Sequence, residues 1–87
     1  MSFTILYRAS VKREMRRLDA AMVKRIDTAI LGLVGNPRPS GCVRLSGQSH
    51  LWRIRVGDCR VLYEIQDEQL LIYIVSVAHR REVYRGL

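Results

Sequence analysis

The sequence has little that could build a membrane span, a metal site or a disulfide framework. Among 87 residues, no apolar run approaches the ~18 residues of a membrane helix, and the N-terminal segment lacks the pattern of a secretory signal. Cys42 and Cys59 have neither metal-ligand spacing nor the density of a disulfide-stapled scaffold. No His, Cys, Asp or Glu cluster has ligand spacing either. We therefore expect a cytoplasmic protein with two reduced thiols, no membrane segment, no metal and no cofactor.

Acidic residues and lysine are also scarce. Eight acidic residues face fifteen basic ones, which gives a formal net charge of +7, and only two of the fifteen are lysine. The other thirteen are arginine, whose planar fork of donors matches the oxygens of a phosphate. A polyanionic partner, and above all a nucleic acid, is the predicted consequence. Composition alone also fits an ordinary solvated surface, so the positions of the arginines must distinguish a binding site from a solvated surface.

The pattern along the chain predicts one α+β domain spanning residues 1–87. Phe3, Ile5 and Tyr7 alternate as in a first strand, Ser10 stands where a helix would be capped, and Asp19 could cap a second helix. Glycine and two prolines then end the helices within 35–39. The strand-like segments that follow are 42–45, 51–56, 59–66 and 70–77. The predicted order is β-α-α-β-β-β(-β), an antiparallel-rich sheet with a helical hairpin on one face and a short C-terminal tail or helix.

Gly57 and Asp58 separate two alternating runs and predict a two-residue hairpin loop, which fixes the strand register. The pairs on one side of this hairpin are apolar and predict a core face: Val56 with Cys59, Ile54 with Val61, and Trp52 with Tyr63. The other side pairs Arg55 with Arg60 and Arg53 with Leu62. Directly opposed like charges are destabilising, so this arrangement favours an anion-binding site over a device for stability.

The C-terminal strand continues this cationic face. A second hairpin turning near Asp67 and Glu68 predicts Tyr73 and Val75 on the side of the arginines. The tail that follows, His79-Arg80-Arg81-Glu82-Val83-Tyr84-Arg85, could bring Arg80 and Tyr84 to the edge of the same face. His50 and His79 are too far apart in the sequence to be assigned as a catalytic pair. The basic residues of the helices are interpreted as solvated or partner-facing charge, and they could also dock phosphates of ribosomal RNA.

Two segments resemble the RelE-type toxins of toxin-antitoxin pairs, within the wider RelE/ParE superfamily. They are residues 51–65, LWRIRVGDCRVLYEI, and residues 79–84, HRREVY; weaker agreement lies at 35–39 and 43–47. The resemblance implies an mRNA interferase that enters the ribosomal A site, cuts the codon there and is silenced by an antitoxin. The implied partners are therefore mRNA, the 16S rRNA region of the A site and a RelB-like antitoxin protein.

Carried over residue by residue, the resemblance implies a metal-independent endoribonuclease. Arg60, Arg80 and Tyr84 match catalytic positions, and we expect Arg53, Arg55 and Arg81 to bind RNA phosphate. Arg53 and Arg55 stand where the best-known members usually have lysine. The expected chemistry is attack of an RNA 2′-hydroxyl on the adjacent phosphate, with Tyr84 as the candidate base and Arg80 beside the leaving oxygen.

Two other functions fit the same architecture. In the ParE branch a toxin of this fold poisons DNA gyrase and lacks the catalytic set, and an inactive relative could bind its antitoxin and regulate transcription only. The joint presence of Arg60, Arg80 and Tyr84 favours the nuclease.

Overall fold

The computed structural model describes residues 2–45, 47 and 50–79, and within them two helices pack on one five-stranded sheet. The elements in chain order are β1 (Thr4–Tyr7), α1 (Ala9–Met15), α2 (Ala20–Gly32), β2 (Val43–Arg44), β3 (Leu51–Val56), β4 (Cys59–Gln66) and β5 (Leu71–His79). The predicted α+β class is confirmed. Neither described helix is long and apolar enough to cross a membrane.

The sheet has the order β1-β5-β4-β3-β2, which places β4 at its centre. Strands β2 to β5 pair antiparallel as a meander, whereas β1 pairs in parallel with β5. A parallel neighbour requires a long connection, and the chain between β1 and β5 contains both helices and the rest of the meander. The outcome agrees with the predicted antiparallel-rich sheet.

One apolar layer lies between the helices and one face of the sheet. On β4, alternate residues from Cys59 to Ile65 are buried, as a half-covered strand requires. On α2, Ile26 and Ile30 are fully buried and Met22 packs beside them, since residues four apart share a helix face. Burying each such side chain contributes about 1.5–3 kcal/mol, so this layer is the main source of stability.

The sequence predicted the N-cap residue of α2 correctly but not that of α1. Asp19 caps α2 as predicted, because its side chain accepts a hydrogen bond of 2.8 Å from the Met22 amide. Ser10 does not cap α1; the N-cap residue is Arg8, which makes no side-chain cap. The Arg8 amide still donates to the Ile74 carbonyl of β5 at 2.9 Å, so the sheet holds the backbone through Arg8 and the helix begins at the next residue.

The β3–β4 register is the predicted one at all five pairs that the sequence indicated. Between β4 and β5, Tyr73 lies opposite Glu64, which places Tyr73 on the side of the arginines. Beyond Tyr73 the pairing shifts by one residue. Tyr63 pairs with Ile74 while Leu62 pairs with Ser76, so Val75 is the extra residue of a β-bulge and has no partner on β4.

The outer edge of β5 is only partly covered by β1. Strand β1 pairs with Leu71 to Ile74, whereas β5 continues to His79. At the uncovered part, the Glu14 carboxylate of α1 accepts hydrogen bonds from the Val77 amide at 3.0 Å and the Ser76 hydroxyl at 3.1 Å. A side chain of α1 thus hydrogen-bonds to backbone of β5 that lies beyond the end of β1.

Candidate functional site

Three arginines stand on the sheet face opposite the helices, at the end where the β3–β4 hairpin turns. Arg55 pairs directly with Arg60, and Arg53 lies two residues earlier on the same side of β3, opposite Leu62. We call Arg53, Arg55 and Arg60 the arginine face. Arg55 is exposed, and the other two are half-buried. On β5, Ala78 is the residue that pairs with Arg60.

The opposition of Arg55 and Arg60 concentrates positive charge. Cβ atoms of directly paired residues lie about 4.5–5.5 Å apart, which is well within the ~8 Å Debye length at physiological ionic strength. Glu64, on the same face, lies four residues from Arg60 along β4 and is paired with Leu51 and Tyr73, not with an arginine. An anion between two guanidinium groups would convert this repulsion into charge-assisted hydrogen bonds.

The hairpin turn is fixed by α2. Gly57 has a φ of +58°, in the left-handed region that favours glycine. A Cβ at this position would lie 2.9 Å from the Met22 side chain and 3.0 Å from the Arg25 guanidinium. On the other side, Arg55 Nε donates a hydrogen bond of 3.3 Å to the Gly57 carbonyl. The turn that separates β3 from β4 is therefore held between two arginines and a methionine.

Arg38 has a different role from the arginine face. Its guanidinium donates two hydrogen bonds to the Asp67 carboxylate, at 3.1 and 2.8 Å, and lies 5.0 Å from the centre of the Trp52 ring. The bonds with Arg38 hold the pKa of Asp67 below its usual value. This ion pair connects the segment after α2 to the β4–β5 turn, so the role of Arg38 is structural.

Tyr63 is a core residue, as the register predicted. It is fully buried, and its hydroxyl donates a hydrogen bond of 2.8 Å to the Pro37 carbonyl. Burial raises the pKa of Tyr63 well above its usual value, and the neighbouring Cys42 thiol raises it further. Tyr63 stays protonated and cannot serve as a base. Trp52 is half-buried against the same core, which confirms the corresponding prediction.

The two histidines lie at opposite ends of β4. The His50 carbonyl accepts a bond from the Ile65 amide, whereas His79 pairs with Cys59, six residues away along the strand. That separation corresponds to roughly 20 Å of backbone, so the two rings cannot act as one acid–base pair. Within residues 2–45, 47 and 50–79, no group of three His, Cys, Asp or Glu side chains could hold a metal ion.

Of the predicted site residues, the structure brings Arg53, Arg55 and Arg60 together. Arg80, Arg81 and Tyr84 lie outside the described residues. The sequence placed Arg25 among the basic residues of the helices and did not indicate that it lies at the hairpin turn. No local signal marks its contact with Gly57, because that contact depends on how α2 packs against the hairpin.

Comparison with known proteins identifies the relatives of this fold. Residues 5–84 match the family model described as the ParE toxin of type II toxin-antitoxin systems, parDE. A RelE-like toxin protein of Escherichia coli is 27% identical over 81 residues, covering 92% of this chain and 85% of that relative. The toxin RelE1 of Methanocaldococcus jannaschii is 26% identical, covering 99% of both chains.

A solved structure shows the same architecture. The archaeal RelE–RelB complex from Pyrococcus horikoshii superposes with a TM-score of 0.82 at 25% identity, covering 92% of this chain and 97% of the other. The family match spans nearly the whole sequence, and the relatives carry the RelE name. The chain therefore belongs to the ParE toxin family of type II toxin-antitoxin systems and is a RelE-type toxin.

Proposed function

We propose that this toxin is a metal-independent endoribonuclease that cleaves mRNA in the ribosomal A site and thereby arrests translation. The observation that carries the proposal is the direct pairing of Arg55 with Arg60 on the sheet face opposite the helices. Such a pair costs stability in the free protein and gains favourable interactions when a phosphate binds. RNA supplies a phosphate with a 2′-hydroxyl beside it, which is the nucleophile that this chemistry needs.

The proposed reaction is an in-line displacement at one RNA phosphate. The 2′ oxygen forms a bond to phosphorus and gives its proton to a base, the bond from phosphorus to the 5′ oxygen breaks, and that oxygen receives a proton. The products are a 2′,3′-cyclic phosphate and a free 5′-hydroxyl. Arg53, Arg55 and Arg60 would stabilise the charge that develops on phosphorus, a role worth about 2.7–4 kcal/mol per donor in comparable sites.

Proton transfer requires groups other than these three arginines, because a guanidinium stays protonated at physiological pH and cannot act as a base. We assign the base to Tyr84 and the leaving-group partner to Arg80, with Arg81 as a further phosphate contact. The end of β5 supports this assignment. His79 pairs with Cys59, the neighbour of Arg60, so the chain enters its C-terminal segment at the arginine face.

A RelB-like antitoxin is the proposed protein partner. The Pyrococcus horikoshii structure, which shares the fold over nearly all of its chain, is a RelE–RelB complex. The helices of this chain present a dense positive surface on which an acidic antitoxin could bind. Its exposed basic residues on α1, the link to α2, and α2 are Lys12, Arg13, Arg16, Arg17, Lys24 and Arg25. The antitoxin would cover these helices or displace the C-terminal segment.

A gyrase-directed toxin is the competing function, because the matching family model is that of ParE. An inactive, antitoxin-binding relative is the third. One experiment separates all three: the wild type and an Arg80→Ala, Tyr84→Phe double variant are induced in cells, mRNA ends are mapped and gyrase-linked DNA breaks are counted.

We expect the wild type to produce new mRNA ends within codons and the double variant to produce none. Intact mRNA together with broken DNA would establish the ParE-like function instead, and cells that keep growing would indicate the inactive relative. For the purified protein on ribosomes, we expect cleavage to continue at full rate with a chelator of transition metals that leaves the ribosomal Mg²⁺ in place. A rate abolished by this chelator and restored by Zn²⁺ would contradict metal independence.

A further inference from the structure

The tip of the β3–β4 hairpin carries charge that the arginine face does not include. Arg25 of α2 reaches the turn from the helix side of the sheet, with its Nη1 atom 3.0 Å from where a Cβ of Gly57 would be. Arg55 reaches the same residue from the opposite face, donating from Nε to the Gly57 carbonyl at 3.3 Å. Gly57 thus lies between two guanidinium groups that come from different elements.

These contacts bound the separation of the two charges. Adding these two distances to the covalent span from the Cβ position to the carbonyl oxygen gives at most about 10 Å between Arg25 Nη1 and Arg55 Nε. That distance is comparable to the Debye length at ~0.1 M salt, so salt screens the repulsion between the two guanidinium groups only in part. Among the described residues no carboxylate pairs with Arg25, in contrast to Arg38, which is neutralised by Asp67.

The separation fits one phosphate. With charge-assisted hydrogen bonds of 2.7–2.9 Å on each side, a phosphate can bridge donor nitrogens that are roughly 8 Å apart. The helix side of Gly57 has no room for an anion, because even a Cβ there would lie 2.9 Å from the Met22 side chain and 3.0 Å from the Arg25 guanidinium. A phosphate that contacts both guanidinium groups must therefore lie at the outer side of the turn.

We propose that Arg25 and Arg55 bind one RNA backbone phosphate at the hairpin tip, and that Arg25 is a positioning residue for the RNA. This inference rests on the proposed RNA-cleaving function. The phosphate at the tip would be a neighbour of the one that is cut, because Arg55 also pairs with Arg60 in the arginine face. The RNA strand would then run from the arginine face around the end of the hairpin toward α2.

The test measures binding separately from cleavage. The full-length protein is titrated with a short single-stranded RNA in which every 2′-hydroxyl is methylated, so that the nucleophile is blocked, over a series of salt concentrations. Arg25→Gln is compared with Arg13→Gln, which removes the same charge from an exposed position on α1. Thermal unfolding of each variant shows whether it is folded under the assay conditions.

We expect Arg25→Gln to weaken binding about 3- to 10-fold at ~0.1 M salt and to reduce the slope of log K against log salt by about 0.7, the value for one phosphate contact of a single strand. Arg13→Gln should change neither quantity to this extent. Arg25→Lys keeps the positive charge and should therefore restore most of the slope of log K against log salt. A merely structural role of Arg25 would not explain that recovery.

Equal effects of Arg25→Gln and Arg13→Gln would overturn the proposal. So would slope losses of Arg25→Gln and Arg55→Gln that add fully in the double variant, since a shared phosphate is lost only once. A wild type that binds this RNA through Arg25 but cuts no mRNA would refute the proposed function and leave the hairpin-tip site standing.

Discussion

Gly57 is the residue on which the geometry of the arginine face most depends. Its positive φ shapes the two-residue loop that sets Arg55 opposite Arg60, and its missing side chain lets α2 approach the turn. A one-residue slip at this loop would send every arginine of β3 to the other face of the sheet. The conformation and the close contact thus both require glycine here.

Gly57→Ala is therefore predicted to reduce the free energy of unfolding by about 2 kcal/mol, because alanine is strained at this φ and its Cβ would be 2.9 Å from Met22. Urea denaturation measures the change. Gly32→Ala is the control: Gly32 lies in α2 with nothing within 4 Å of its Cβ position, and alanine there should be neutral or stabilising by up to about 1 kcal/mol. Equal effects at the two positions would contradict the prediction.

Tyr63 makes the stability sensitive to alkaline pH. Its pKa is raised above the usual 10.0 by burial, so in the unfolded chain the phenol ionises before it does in the folded protein. Stability from this residue is fully present below pH 10 and is lost as the pH rises toward the folded pKa. We predict a loss of about 1.4 kcal/mol between pH 8 and about pH 11.

Tyr63→Phe should abolish this component of the pH dependence, at the expense of the hydrogen bond to Pro37, worth about 1 kcal/mol at neutral pH. The measurement is urea denaturation of both proteins across this pH range, with tyrosinate absorbance followed in parallel. Parallel pH profiles for the two proteins would show that another group is responsible.

At the scale of elements, the uncovered edge of β5 depends on α1. Glu14 accepts hydrogen bonds from the Val77 amide and the Ser76 hydroxyl just beyond the bulge at Val75, where β1 no longer pairs. Without this carboxylate, a partly buried backbone amide would lose its partner. The short α1 helix is thereby attached to the strand that leads toward the C-terminal segment.

Glu14→Ala is predicted to cost about 1–3 kcal/mol of stability, the penalty for leaving a buried donor unpaired. Glu68→Ala, in the exposed turn before β5, is the matched control and should stay within about 0.5 kcal/mol of the wild type. Combining Glu14→Ala with Ser76→Ala should give a coupling energy of at least about 0.5 kcal/mol by denaturant unfolding. Additive effects would mean that the hydrogen bond from the Ser76 hydroxyl to Glu14 does not contribute to stability.

At the scale of the whole molecule, the two faces of the sheet carry different kinds of residue: one carries the core and the other carries the arginine face. The face under the helices carries the buried aliphatic residues and Tyr63, while the opposite face carries Arg53, Arg55 and Arg60. Residues on the second face contribute little to the core, so substituting them changes ligand binding more than folding. This separation makes the proposed function testable with single substitutions.

Arg55→Gln is predicted to slow mRNA cleavage on purified ribosomes by about 10²–10³-fold, because it removes one donor to the developing charge. Its free energy of unfolding should stay within about 0.5 kcal/mol of the wild type, because relieved repulsion with Arg60 offsets the lost hydrogen bond to the Gly57 carbonyl. Arg38→Gln should show the reverse: a lower free energy of unfolding, because the ion pair with Asp67 and the cation–π contact with Trp52 are lost, and unimpaired cleavage. Cleavage by Arg55→Gln at the wild-type rate would remove the arginine face from the mechanism.

Local patterns in the sequence were sufficient for the hairpin that carries the arginine face. Strict alternation on both sides of Gly57 and Asp58 determines which side chains share a face, and the short side chain of Asp19 determines where α2 begins. Both rest on interactions between residues close in the chain. Periodicity also indicated the α+β class and the core roles of Trp52 and Tyr63.

Other features were decided only by tertiary structure, because they join residues distant in the chain. The start of α1 at Ala9 follows from a bond between Arg8 and β5, and the bulge at Val75 arises where β5 passes beyond the end of β1. Arg25 and Arg38 look alike in the sequence, yet one lies against the hairpin turn and the other pairs with Asp67. Sequence alone determined which arginines line the sheet, and packing determined which further arginine stands beside them.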